Sequence, residues 1–256
     1  MRAAIALQVA QFRRARTIRL ATWLIVLAPA LFSVGFVALA RTVALEGPGT
    51  ESFAPYREGP FAVAASQLAG QMVSIWTLIA AGFAISWSVG REWSDGTYGS
   101  LFSLPVRRSQ VAWAKVIVTG SWGAAAVTLT LVLLIAGLAV ADAAHLQQAV
   151  WQQLARVWVA GLLTLALALA FGAVAAWSRG YLGAVAAIIA VTAVSQILAS
   201  LGIGEWVPFV VPALWAGAAG QEAAAGVGLP SLLGALGTAA VGVLALVRAF
   251  ARGHLD

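Results

Sequence analysis

Residues 90–108 read GREWSDGTYGSLFSLPVRR, placing five charges in nineteen positions of a 256-residue chain in which 9% of residues are charged. Glu92 beside Arg91, followed by Arg107, Arg108 and Lys115, offers ion pairing and hydrogen bonding; Glu92 can pair with Arg91, with Lys115 or with a helix N-terminus. Tyr98, Leu101, Phe102 and Pro105 fall at i, i+3, i+4 and i+7, one face of a short helix that Ser94 or Asp95 would cap and Pro105 would end. Such a face must be covered by lipid or by a docked protein. Gly96, next to Thr97, would let the chain turn sharply ahead of it. Other chemistry lacks candidates. The chain has no Cys and only two His, His145 and His254, read as loop and tail residues, so neither a thiol nucleophile nor a metal cluster is available. Neither GxxxxGKS nor GxxxxGKT occurs, so the chain itself carries no P-loop for ATP.

A second polar set is embedded in apolar sequence. Gln67, Gln71 and Ser74 share a helical stripe with Ser66, Gly70 and Thr77 beside it, and Thr192, Ser195, Gln196 and Ser200 cluster similarly. Such residues either line a route or join helices by hydrogen bonds and close packing.

The elements that position both sets are dictated by composition. At 62% hydrophobic and a mean hydropathy of +0.93, the apolar surface exceeds what one water-soluble domain can bury. Charge-free runs give six transmembrane helices at about 20–40, 68–90, 116–141, 157–178, 181–203 and 231–247, each near the roughly 20 residues that cross a bilayer. The runs are continuously apolar rather than alternating, which favours helices over a barrel. The fold class is therefore all-α, a polytopic membrane protein forming a single domain over 1–256. Residues 1–19 carry Ile5, Val9 and Phe12 as an apolar stripe with four Arg close behind, an interfacial helix on the inner leaflet. Residues 204–230, rich in Trp, Pro and Gly, read as an extracellular, re-entrant segment buried against protein.

Of the fifteen Lys and Arg, only Arg41, Arg57 and Arg156 fall on one side of this topology. The other twelve make the opposite side, with both termini and residues 91–108, cytoplasmic. The pI near 11.0 does not imply nucleic acid, because the basic residues sit at helix ends rather than on one soluble face. The six runs contain no Asp, Glu, Lys, Arg or His, so a proton relay or ion-coupled carrier is disfavoured and another subunit must supply the energy for any driven transport. Fourteen Arg against one Lys, with abundant Ala and Gly, points to a bacterial chain and hence to the cytoplasmic membrane.

The order Glu92, Gly96-Thr97, Leu101, Pro105, Arg108 and Lys115 resembles the E…GT…L…P…R…K signature after the second helix of ABC-2 type permeases, the membrane subunits of ABC exporters. Six spans with both ends inside and a basic N-terminus are similar to that family over essentially the whole chain. The resemblance implies that residues 91–108 are a coupling helix docking on a separate ABC-type ATP-binding subunit, with Arg91, Glu92, Gly96, Thr97, Tyr98, Leu101, Phe102, Pro105, Arg107 and Arg108 as docking or coupling residues. It implies two such subunits holding ATP and Mg, no cofactor in this chain, and a second permease copy. It also implies that the second and fifth helices face a central path. Two other classes use the same helices: a non-transporting scaffold or immunity subunit, and a passive channel.

Overall fold

The computed structural model describes residues 1–42, 54–97, 107–218 and 220–252, and all regular structure in them is helical. A basic helix α1 (Arg2–Arg14) is separated by an extended Ala15 from α2 (Arg16–Thr42). The short α3 (Ala54–Arg57) leads into α4 (Phe61–Ser94), followed by α5 (Arg108–Asp142), α6 (Gln148–Ala168), α7 (Phe171–Trp177) and α8 (Tyr181–Ser200). After two short helices, α9 (Val211–Trp215) and α10 (Gln221–Gly226), α11 (Leu229–Arg252) ends the described chain. Six units are long and apolar enough to cross a membrane: α2, α4, α5, α6 with α7, α8 and α11. The chain is a multi-pass membrane protein.

The helices overrun the charge-bounded runs. At 34 residues, α4 is about 51 Å long at 1.5 Å per residue, against about 30 Å of hydrocarbon. Pro60 precedes its first residue as N-cap, where a missing N–H costs nothing, so one helix runs from Phe61. Likewise α5 begins at Arg108 rather than after Lys115, and Pro230 lies in the first turn of α11 instead of ahead of it. The fourth run is broken at Leu169–Ala170, where Gly172 N and Ala173 N donate to Leu169 O and Ala170 O.

Burial separates inner from outer elements. In α4 and in α6–α7, 67% of the spanning stretch is buried, against 17% in α8 and in α11. The outer surfaces are apolar, with Leu182, Ile189 and Ile197 on α8 and Leu233 and Val241 on α11 exposed. Lipid is the solvent that suits them. The two longest helices, α4 and α5, are joined at both ends. At one, Asp142 Oδ2 of α5 accepts from Ala62 N in the first turn of α4 (3.0 Å), and His145 Nδ1 lies 2.5 Å from Asp142 Oδ1. The other is the site described below. Helix α9 is folded into the protein, with Val211, Pro212 and Leu214 buried and the Gln153 amide of α6 donating to Ala216 O.

Helix α1 departs from the stripe read in the sequence. Its protein-facing side carries Gln8 and Phe12, both buried, whereas Val9 is 39% exposed. Phe12 meets Trp122 of α5 edge-on at 6.1 Å. A neighbouring polar partner decides the face, which apolar periodicity alone does not report.

Candidate functional site

The last turns of α4 gather the charged residues. Glu92 points inward: Lys115 Nζ donates to Glu92 Oε1 at 2.7 Å and to Ser88 O at 2.5 Å. Lys115 is fully buried and Glu92 nearly so. Gln8 Nε2 of α1 donates to Ser88 Oγ at 2.7 Å, so α1, α4 and α5 converge on one helical turn. Glu92 Oε2 is buried with no hydrogen-bond partner among the described residues. Burying two charges is costly unless they meet with good geometry. A 2.7 Å pair with a further carbonyl acceptor on the ammonium fulfils that for Lys115.

Arg91 takes a separate direction, its guanidinium 4.7 Å from the Trp87 ring centroid and 3.9 Å from Asp95 Oδ2. Neighbours on a helix diverge by about 100°, so Arg91 and Glu92 do not share a partner. Ser94 and Asp95 belong to the end of α4 rather than starting a new helix: Ser94 Oγ donates to Gly90 O, and Asp95 is the C-cap. Gly96 follows with φ +66°, a left-handed conformation that ends helices and suits glycine. Thr97 Oγ1 donates to Glu92 O at 3.4 Å. Arg107 is the N-cap of α5, and Arg108 its first residue. Tyr98, Leu101, Phe102 and Pro105 lie outside the described residues.

The start of α8 presses on this turn. A Cβ on Gly90 would stand 2.3 Å from Tyr181 N and 2.5 Å from Gly180 C, so only glycine allows the backbones to approach this closely. The end of α4 is thereby fixed against α5 by the ion pair and against α8 by contact.

The second polar set divides. Gln71 and Ser74 of α4 and Thr192, Ser195, Gln196 and Ser200 of α8 line a single open cavity of about 250 Å³, bordered by α9 residues including Leu214. Gln67 lines a different cavity with Ser66, Gln153 and Arg156. Thr77 lines neither; it is buried and its Oγ1 has no hydrogen-bond partner among the described residues. The hydroxyls of Ser74, Thr192 and Ser200 donate to carbonyls of their own helices, Gly70, Ile188 and Ile197. They do not tie α4 to α8. Interhelical polar ties occur elsewhere, from Thr130 Oγ1 to Ile25 O and from Trp122 Nε1 to Thr22 Oγ1.

Sequence reasoning named Glu92 and Lys115 but not Ser88 or Gln8. A glutamine at the centre of an otherwise apolar helical face was the available signal for Gln8. Ser88 lies one turn before Glu92 in α4, and nothing in its neighbourhood distinguishes it from other serines that bond back to their own helix.

No curated protein matches the chain. A family profile described as ABC-2 family transporter protein matches residues 12–199, taking in α2 through all but the last residue of α8 and both polar sets except Ser200. Proteins of this family are membrane components that work with ABC-type ATP-binding subunits. The chain belongs to the ABC-2 transporter family, as a multi-pass permease.

Proposed function

We propose that this chain is the permease subunit of an ATP-driven exporter in a bacterial cytoplasmic membrane, with both termini and residues 91–108 on the cytoplasmic side. Two permease copies assemble with two ATP-binding subunits, which hold ATP and Mg. The segment after α4 takes up their motion. The observation that carries this reading is the buried Glu92–Lys115 pair, 2.7 Å across, which joins the two helix ends flanking that segment. A push on residues 98–106 then moves α4 and α5 together instead of fraying either end. Helix α4 also supplies Gln71 and Ser74 to the polar cavity it shares with α8, so motion of its end is transmitted to the cavity wall. That cavity, uncharged and lined by two glutamines and several hydroxyl residues among apolar ones, is the proposed part of the export path and suits amphipathic cargo. The second copy would complete it.

The experiment is a detergent pull-down with the cognate ATP-binding subunit. The helical spacing of Leu101 and Phe102 puts both on the proposed docking face and Ser103 off it. Leu101→Asp and Phe102→Asp would each place an unpaired carboxylate in an apolar contact, forfeiting about 1.5–3 kcal/mol of side-chain burial and adding a desolvation cost of several more. Both variants should insert but lose the ATP-binding subunit, while Ser103→Asp keeps it. Full retention by both would return the segment to a lipid-resting role.

A further inference from the structure

We propose that the recess where α4, α7 and α11 end is a binding site for the phosphodiester headgroup of an anionic phospholipid. The recess is a cavity of about 380 Å³ walled by Trp93, Trp177, Arg179, Arg248, Phe250 and Arg252 together with small alanines. Its three arginines come from two places distant in sequence, the turn between α7 and α8 and the last turns of α11, and no carboxylate is among the described residues that line it. The C-terminal end of α11 accounts for basic residues on that helix, whose dipole they complement. Arg179 likewise follows the C-terminus of α7, so the helix dipoles account for a basic end at both places but not for the left-handed conformation in which Arg179 is held.

Arg179 carries the stronger argument. Its φ is +50°, and it is the one non-glycine residue in the left-handed region among those described. Residues with a Cβ disfavour that conformation, and here it closes α7, with Gly180 N donating to Ala175 O at 3.1 Å. Glycine would form this turn without strain, and the chain places one at the very next position. The side chain, not the backbone, is therefore the reason for arginine. Its guanidinium lies over the Trp93 ring, 5.8 Å from the centroid, which fixes the direction in which its donors face.

Guanidinium groups match phosphate oxygens with paired N–H donors, and basic pockets between spans are the sites where anionic headgroups are held. A membrane lipid is favoured over a soluble anion by what adjoins the recess. Trp177 is 67% exposed, at the end of a span where an indole prefers the headgroup level. Leu244 and Val241, four and seven residues before Arg248, occupy the same face of α11 and are exposed. A headgroup on Arg248 thus lays its acyl chain along an apolar stripe.

The test uses the full chain in detergent with equal amounts of phosphatidylglycerol and phosphatidylcholine, counting retained lipids by native mass spectrometry and following thermal unfolding as phosphatidylglycerol is added. Wild type should retain phosphatidylglycerol selectively and be stabilised by it. Arg179→Gly and Arg248→Ala should each weaken its apparent affinity about fivefold, the value of one arginine at an anionic surface. Arg179→Gly relieves the left-handed strain but gives up the contact with Trp93, so unfolding of each variant without added lipid is compared with wild type, which separates lost binding from lost folding. Arg156→Ala, removing the same charge at the opposite end of the bundle, should leave retention unchanged. Equal retention in Arg179→Gly and Arg248→Ala overturns the site. Equal stabilisation by inorganic phosphate makes it a soluble-anion site and overturns the lipid assignment. Variants that keep phosphatidylglycerol but lose the ATP-binding subunit would make the recess a protein contact, which also overturns it.

Discussion

Among the described residues Lys115 is the largest side chain to be fully buried, and its ammonium donates to Glu92 and to the Ser88 carbonyl. Removing one member of such a pair strands the other. Lys115→Met and Glu92→Leu should each cost about 3–5 kcal/mol of stability, whereas the double replacement should recover most of that loss, because an apolar pair of similar volume substitutes well for a buried ion pair. Thermal unfolding of the four proteins in one detergent gives the coupling directly, and additive losses would mean that the two residues act separately. The same double variant should still bind the ATP-binding subunit but transmit its motion less well, read as reduced substrate-stimulated hydrolysis. In the sequence, Glu92 could be seen as a polar anchor, with Arg91, Lys115 and a helix terminus as competing partners. Composition cannot choose among these. The choice depends on which face of α4 meets α5, and on Arg91 being held away by Trp87 and Asp95.

Two glycines of α4 and its terminus show how differently an element can depend on a missing side chain. At Gly96 a Cβ would meet none of the described residues within 4 Å, but φ is +66°, so backbone conformation is the constraint. Gly96→Asn should therefore be tolerated, since asparagine visits this region, while Gly96→Val should cost about 1–2 kcal/mol locally and weaken transport-linked ATP hydrolysis; equal behaviour of the two would remove the turn from the coupling argument. At Gly90 space is the constraint, because Tyr181 N would be 2.3 Å from the added atom. Gly90→Val should lower stability by about 1–3 kcal/mol or more through overpacking. Gly35→Ala, where nothing lies within 4 Å, serves as the comparison and should change stability little. At this scale the sequence tells that helices exist better than where they stop. Counting between charges ends a span at Lys115 because a charge is assumed to sit in water, and here the charge is inside. The apolar stripe of α1 misled for a related reason: Gln8 is drawn inward by Ser88, leaving Val9 toward the outside.

For the whole molecule, six crossings were legible because runs of about 20 apolar residues have few other uses. The ranking of the helices from centre to periphery was not. Helices α4 and α8 are both apolar enough to cross a bilayer, yet α4 is mostly buried and α8 mostly exposed, since packing of small residues such as Gly70 against Ala216 draws α4 inward. The polar cavity lies on the boundary between these two helices, which is why only part of the predicted polar set converges there. Orientation remains the property on which every functional assignment depends, and α4 allows it to be tested within one helix. Glu58 precedes α4 and Asp95 caps its end; both are exposed. Only Arg41, Arg57 and Arg156 fall at the Glu58 end, while twelve of the fifteen basic residues fall at the other, and basic flanks are retained in the cytoplasm. Because the chain has no cysteine, Glu58→Cys and Asp95→Cys each introduce a single thiol. In intact cells a membrane-impermeant maleimide should label Glu58→Cys, and it should label Asp95→Cys only after permeabilisation. Since one continuous helix separates the two positions, labelling of both from outside would show that α4 does not span, and the reversed pattern would move the proposed coupling segment away from any cytoplasmic ATP-binding subunit.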